Sequence, residues 1–207
     1  MSITFNDHTK SAYLRIWHWL TFLFFFASIS TVIFGSTLFK TKENIAMVQE
    51  QAMHKGGVLT NDQARAIAHE FSDKLWMLHK YIGFGLSILM LLRIIIEVAA
   101  SKQDTVMGRI KAAASIPIKD AEQKHYINVN KSYLLFYILF ITMSFTGLVL
   151  AFEDVKFLDP IHKISKQIHS YVQYGMYAYM VLHIVGVVLA DTDKYPGIVS
   201  RMINGKK

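Results

Sequence analysis

The sequence predicts an all-α integral membrane protein, a bundle of four membrane-spanning helices. Two observations support this fold class. The 207 residues are 53% hydrophobic, which is more than a soluble core of this size requires. The charged residues are also spaced so that long apolar stretches remain, and a helix needs about 20 such residues to cross the hydrocarbon layer. We expect one transmembrane domain over residues 1–207.

Four segments qualify as spans. They cover about residues 14–39, 75–100, 132–152 and 166–190. The first, third and fourth each contain an uncharged run of 21 to 24 residues. The second is equally apolar but carries His79, Lys80, Arg93 and Glu97. We interpret these four as functional side chains near the ends of a span, because charge inside a membrane is rare without a role.

The distribution of lysine and arginine predicts the orientation. Four spans place both termini on one side, and that side has 12 basic and 6 acidic residues, against 8 basic and 8 acidic on the other. Basic residues favour the cytoplasmic side, so we expect both termini in the cytoplasm. The basic residues flank spans without forming a dense run, which favours contact with anionic lipid over nucleic acid.

Two short helices are expected outside the membrane. In the first periplasmic loop, Thr60 and Gln63 form a capping-box pattern, and apolar residues follow at helical spacing up to Phe71. This pattern predicts a short amphipathic helix in that loop. In the cytoplasmic loop we expect a second short helix from Val106 to Ser115.

Histidines lie inside three of the spans, and the fourth span contains two of them. His169 and His183 are separated by 14 residues, which corresponds to about 21 Å of axial rise and about 40° of rotation. Both imidazoles therefore point to nearly the same side at different depths. An ionisable side chain in lipid costs free energy and marks a functional site by default.

Depth pairs these histidines with two others. The second span starts outside and the first starts inside, so His79 lies at the depth of His169, and His18 at the depth of His183. Each pair joins two helices at one depth, as ligation of haem iron by two imidazoles requires. The chain has no cysteine, which excludes covalent c-type haem and thiolate-bound iron–sulfur clusters. The sequence therefore predicts two b-type haems.

Each histidine also has alternative roles. A packing role is the alternative for each histidine alone, and a zinc or proton-relay site is disfavoured because the two layers are far apart. The remaining five are expected in loops or termini, in contact with solvent: His8, His54, His69, His125 and His162. Of these, His162 is the nearest competitor as a ligand, but 21 residues before His183 correspond to about 31 Å of helix, which reaches the membrane surface.

Three basic residues are candidates for binding the anionic haem propionates or for tuning haem charge. Arg15 lies one turn before His18, Lys80 follows His79, and Arg93 lies in the inner half of the second span. Arg15 and Lys80 have the alternative of an interfacial anchor that reaches the lipid headgroups. For Arg93 the alternative is an ion pair with Glu97, four residues later.

The residues that carry these features resemble a known family. Arg15-Ile-Trp-His18-Trp opens the first span, Leu78-His79-Lys80-Tyr-Ile-Gly83 opens the second, and His169 and His183 lie in the fourth. Together they resemble the four-helix di-haem cytochrome b subunits of membrane-bound nickel–iron hydrogenases and formate dehydrogenases. The resemblance covers nearly all of the chain.

The resemblance implies a place in a respiratory chain. The outer haem would receive electrons from a periplasmic iron–sulfur or cytochrome subunit, and the inner haem would reduce a quinone near the cytoplasmic face. It also implies a quinone site at the start of the third span, where Asn128 is the candidate. The alternative for Asn128, and for Asn130, is a cap at the start of that helix.

The leading functional hypothesis is transmembrane electron transfer, as the cytochrome subunit of a larger oxidoreductase. The alternative is a stand-alone membrane enzyme on the same scaffold, a superoxide:quinone oxidoreductase or a ferric reductase. The outer loops sum to zero charge, which favours a protein partner over an electrostatic funnel for a small anion. A transporter ranks last, because the sequence lacks paired broken helices and inverted repeats.

Overall fold

The computed structural model describes residues 11–102, 105–115, 121–193 and 195–205. These residues form seven α-helices and no strand. The helices are α1 Ala12–Ser36, α2 Thr41–His54, α3 Asn61–Ala99, α4 Val106–Ala114, α5 Ala121–Ala151, α6 Asp159–Thr192 and α7 Ile198–Asn204, with one 3₁₀ turn, Lys156–Leu158, before α6. Four of them, α1, α3, α5 and α6, are long and apolar enough to cross a membrane. The predicted fold class is confirmed.

The spanning helices are longer than the predicted spans. Helices α3, α5 and α6 contain 39, 31 and 34 residues, or about 58, 46 and 51 Å at 1.5 Å per residue. The hydrocarbon layer is only about 30 Å thick. Hydropathy detects the part of a helix that lies in lipid, whereas the helix itself continues through polar residues until a breaking residue or cap ends it.

The segment between the first two spanning helices contains a short helix at a different place from the expected one. This helix is α2, Thr41–His54, and Gly56 with φ of +81° turns the chain after it. The capping box is present: the Thr60 amide donates to Gln63 Oε1 at 2.9 Å, and the Gln63 amide donates to Thr60 Oγ1 at 3.3 Å. However, it begins α3, which runs on into the second span, because no glycine or proline interrupts residues 61–82.

The expectation of loop positions for the other histidines is wrong for three of them. His69, His125 and His162 lie within α3, α5 and α6, because these helices extend beyond the apolar segments. His54 is the last residue of α2, and His8 lies outside the described residues. The short helix predicted from Val106 to Ser115 is confirmed as α4, where Thr105 Oγ1 caps the helix by accepting from the Gly108 amide at 3.0 Å.

The chain divides into two compact units, and the smaller is Thr21–Leu86. In this unit α1 packs against α3 through small residues. The Phe24 ring occupies the space beside Gly85, and a Cβ added at Gly35 would lie 3.3 Å from Cζ2 of Trp76. Because glycine has no side chain, the aromatic rings of the neighbouring helix can approach closely at these two positions. Small residues commonly serve this purpose in helix packing in membranes.

The larger unit comprises Met1–Leu20 and Ser87–Lys207. Within it α5 packs along α6, α4 packs against α5, and α7 packs against α6. Phe140 and Met176 are buried at the centre of this packing. Helix α7 also meets the start of α1, because the Trp19 indole donates to the Met202 carbonyl at 3.1 Å.

Many large apolar side chains are exposed on the spanning helices, including Ile88, Leu182 and Val185. Such exposure suits lipid-facing positions, because lipid tails are as apolar as these side chains. The prediction of one domain over residues 1–207 stays a prediction.

Candidate haem-binding residues

His18 on α1 and His183 on α6 lie together in the larger unit. Their ring centroids are 6.2 Å apart, and the ring planes are inclined by 60°. A metal–imidazole bond of about 2 Å, with about 1.2 Å from the nitrogen to the ring centre, puts two axial imidazoles about 6.4 Å apart, centroid to centroid. The observed separation fits two axial ligands of one haem iron.

The surroundings of this pair also fit a bound group. Nδ1 of His18 is buried and has no hydrogen-bond partner among the described residues. Buried polar atoms are rarely left without a partner, so this nitrogen marks a place where a bound group would complete the contacts. The His18 ring meets the Trp19 ring edge-on at 5.3 Å, and the His183 ring stacks on Tyr179 at 6.2 Å.

His79 lies in the smaller unit, on α3. Its Nδ1 is 2.8 Å from Oγ1 of Thr31 on α1. Thr31 is 4% exposed, and its hydroxyl donates to the Ser28 carbonyl at 2.6 Å. The Trp76 ring meets the His79 ring edge-on, with centroids 5.6 Å apart. The imidazole of His79 is therefore held by the Thr31 hydroxyl on α1 and by the Trp76 indole on α3, the helix of His79.

His169 lies in the larger unit, on α6, and makes the same kind of contact. Its Nδ1 is 3.0 Å from Oγ1 of Thr146 on α5. Thr146 is 3% exposed, and its hydroxyl donates to the Thr142 carbonyl at 2.7 Å. A Cβ added at Gly147 would lie 3.2 Å from Cε1 of His169. The ring therefore lies directly against the backbone of α5.

Sequence reasoning missed Thr31, Thr146 and Gly147. A threonine in an apolar span is common, since its hydroxyl can bond a carbonyl of the preceding turn. Nothing in the spacing along the chain distinguishes a threonine that also faces a histidine on another helix. The missing signal is the rotation of one helix relative to its neighbour, which only the three-dimensional structure provides.

Arg93 is 7% exposed and makes the ion pair that was its alternative role. One guanidinium nitrogen is 3.0 Å from Oε2 of Glu97, and Nε donates to the Tyr137 hydroxyl at 2.9 Å. Its Cζ also lies 5.9 Å from the ring centroid of Trp17, the chain neighbour of His18. Arg93 is thus paired with Glu97 and also lies beside Trp17, the residue that precedes His18.

The other two basic candidates are partly buried. The Arg15 guanidinium lies against the backbone of Gly205, just after α7. Lys80 lies on α3, directly after His79 in the chain.

The asparagines of the third span lie inside α5, which begins at Ala121, so a helix-cap role is wrong for both. Asn128 is exposed. Asn130 is 2% exposed, accepts from Nε of Arg109 at 3.0 Å, and donates to the Tyr126 carbonyl at 3.0 Å. Asn130 therefore joins α4 to α5, whereas Asn128 presents its amide at the surface.

Comparison with known proteins identifies the family of the chain. A family model described as prokaryotic cytochrome b561 matches residues 10–205. No curated protein and no solved structure matches the chain significantly. The family is one of multi-pass membrane cytochromes that transfer electrons through b-type haem, and it is associated with membrane-bound nickel–iron hydrogenases as their cytochrome subunit. The match covers nearly the whole chain, which therefore belongs to the prokaryotic cytochrome b561 family.

Proposed function

We propose that the chain conducts electrons across the bacterial inner membrane through two b-type haems. His18 and His183 are the proposed ligands of the inner haem, and His79 and His169 those of the outer haem. The observation that carries the proposal is the 6.2 Å between the His18 and His183 rings, which joins two histidines that sequence depth alone had paired. The outer pairing rests on sequence depth.

The ligand set favours electron transfer over chemistry at the iron. A b-type haem supplies one-electron reduction and oxidation at a potential that the protein tunes. His18 and His183 would hold the haem through two imidazoles, which would leave no metal position for oxygen or superoxide to bind. The protein residues then hold the group, exclude water and set the local charge. Ligation by two histidines therefore favours a conduit over a stand-alone reductase that binds its substrate at the metal.

Charge near the inner histidines supports a tuning role for Arg93. Its guanidinium lies beside Trp17, and a positive charge stabilises the reduced state of a haem, which is the less positive one. Glu97, 3.0 Å from Arg93, offsets part of this effect. Arg15 and Lys80 are the proposed partners of haem propionates, because each adjoins a proposed ligand on the same helix.

The proposed partners are a periplasmic iron–sulfur or cytochrome subunit on one side and a quinone on the other. The association of the family with hydrogenases supports the first, and so does the zero net charge of the outer loops. The exposed amide of Asn128 supports a quinone contact near the cytoplasmic side. Both termini are proposed to be cytoplasmic.

The deciding experiment is a dithionite-reduced minus oxidised spectrum of the purified chain, with haem quantified per polypeptide. Two b-type haems are expected, and alanine at either ligand of a layer should remove only the haem of that layer. A folded preparation without haem would overturn the proposal. Copurification with an iron–sulfur or cytochrome subunit would support the conduit. Reduction of quinone by superoxide, or reduction of ferric iron by quinol, catalysed by the isolated chain would favour the stand-alone enzyme.

A further inference from the structure

We infer that Thr31 and Thr146 are positioning residues that hold His79 and His169 in the tautomer with hydrogen on Nδ1. They thereby lower the midpoint potential of the haem that these histidines ligate. The inference rests on the proposed function, because it takes both histidines as axial ligands. It deepens that function by naming the side chains that set the ligands.

The number of hydrogen atoms available at the Thr31–His79 contact determines the tautomer of His79. A threonine hydroxyl has one hydrogen, and that of Thr31 is directed to the Ser28 carbonyl at 2.6 Å. In the contact of 2.8 Å with Nδ1 of His79, the Thr31 oxygen can then only accept. Nδ1 of His79 therefore carries the hydrogen, and Nε2 carries the lone pair, which is the form that coordinates a metal.

The same count holds at His169. The Thr146 hydroxyl is directed to the Thr142 carbonyl at 2.7 Å, so it accepts from Nδ1 of His169 at 3.0 Å. The bond from a threonine hydroxyl to a carbonyl of its own helix does not depend on a histidine. Thr142, for example, donates to the Ile138 carbonyl at 2.8 Å. The arrangement occurs twice, on α1 and on α5, in two separate units. This repetition argues against incidental packing.

Burial makes both contacts effective. Thr31 and Thr146 are 4% and 3% exposed, so water does not compete for their oxygens, and a hydrogen bond is electrostatically stronger in such surroundings. An imidazole that donates from its second nitrogen is a more basic ligand. A more basic ligand stabilises ferric iron over ferrous iron, and the potential falls.

The inner pair shows a contrast. Nδ1 of His18 has no hydrogen-bond partner among the described residues, so the structure gives it no acceptor of this kind. The contacts of Thr31 and Thr146 are therefore expected to lower the potential of the haem that His79 and His169 ligate.

The test uses the purified full chain with its haems and measures midpoint potentials by redox titration and the EPR signals of ferric low-spin haem. The variants are Thr31→Val, Thr146→Val and the double variant. Each single variant should raise one of the two potentials and change one EPR signal, with a larger change in the double variant. Thr31→Ser and Thr146→Ser keep the hydroxyl and should restore the wild-type values.

Matched controls come from the same helices. Ser30→Ala removes a hydroxyl that bonds only its own helix at the Phe26 carbonyl, and Thr142→Val removes the one that bonds the Ile138 carbonyl. Neither control should move a potential.

The outcomes in the threonine variants either support or overturn the inference. Unchanged potentials in valine variants that retain their haem would overturn the inference. Haem lost with valine and regained with serine would support it, whereas haem lost with both would overturn it. The variants His79→Ala and His169→Ala test the proposed ligand assignment separately from the role of the threonines. If these variants retained both haems, the ligand assignment itself would be wrong.

Discussion

The rings of His18 and His183 lie 6.2 Å apart although they belong to the first and the last of the four long helices. A contact between such distant parts of the chain is costly to arrange without a purpose, since ionisable groups in spans are otherwise avoided. The two helices start from opposite sides of the membrane in the predicted topology. Their histidines nevertheless meet at one depth.

This contact predicts the effect of removing either partner. His18→Ala or His183→Ala should halve the haem content per chain, because one axial imidazole cannot hold the group alone. Pyridine haemochrome analysis measures the content. His69→Ala is the control, since His69 is exposed on α3 and its Nδ1 contacts Asp73 at 2.6 Å. Full haem content in both His18 and His183 variants would contradict the assignment.

The ion pair of Arg93 and Glu97 predicts potential shifts of opposite sign. Arg93→Leu removes a positive charge beside Trp17 and should lower the potential of the inner haem, whereas Glu97→Gln should raise it. Redox titration of the visible bands measures both. An Arg93→Leu variant with an unchanged inner-haem potential would show that Arg93 is too distant to act on it.

The same pair predicts a loss of stability. Arg93→Leu leaves the Glu97 carboxylate, 28% exposed, without its guanidinium, and we expect a cost of about 2 kcal/mol because that carboxylate is partly screened by solvent. Thermal unfolding followed by circular dichroism measures the change. The double variant Arg93→Leu with Glu97→Leu should recover part of the loss, and the prediction fails if the double variant is less stable than the single one.

The close approach of His169 to α5 predicts that Gly147 tolerates no side chain. In Gly147→Ala the new methyl group would lie 3.2 Å from Cε1 of His169, and forcing the ring away should cost about 1–3 kcal/mol. The haem assigned to His169 should lose occupancy or change its EPR signal. Gly186→Ala on α6 is the matched control, because nothing lies within 4 Å of its added Cβ; equal effects of the two would contradict the prediction.

Substitutions at Asn128 and Asn130 are expected to have different effects, the first on quinone binding and the second on stability. Asn128→Ala should raise KM for a quinone analogue about fivefold, the value of one hydrogen bond, and leave the unfolding temperature unchanged. Asn130→Ala should lower stability by about 1–3 kcal/mol, because it removes the acceptor of Arg109 Nε. Steady-state kinetics and thermal unfolding measure the two effects. Unchanged KM in Asn128→Ala would remove that residue from the quinone site.

Part of this organisation could be predicted from the sequence because it depends on position along the chain alone. The four spans follow from apolar length, and the depth of His18 and His183 follows from where each span begins. The ends of α3, α5 and α6 could not be predicted in this way, because hydropathy falls at the lipid boundary while helical hydrogen bonding does not. The contact of Thr146 with His169 depends on how α5 is rotated against α6, which a single sequence does not encode in any short spacing.

The position of His18 and His183 on α1 and α6 has a consequence for biosynthesis. A ribosome has made Thr31 and His79 once the second span is complete, so this contact can form while most of the chain is still to be translated. The partner of His18 emerges only with the last span. Both proposed haem sites are therefore completed only near the end of synthesis, and a chain truncated before α6 would contain Thr31 and His79 but lack both His169 and His183.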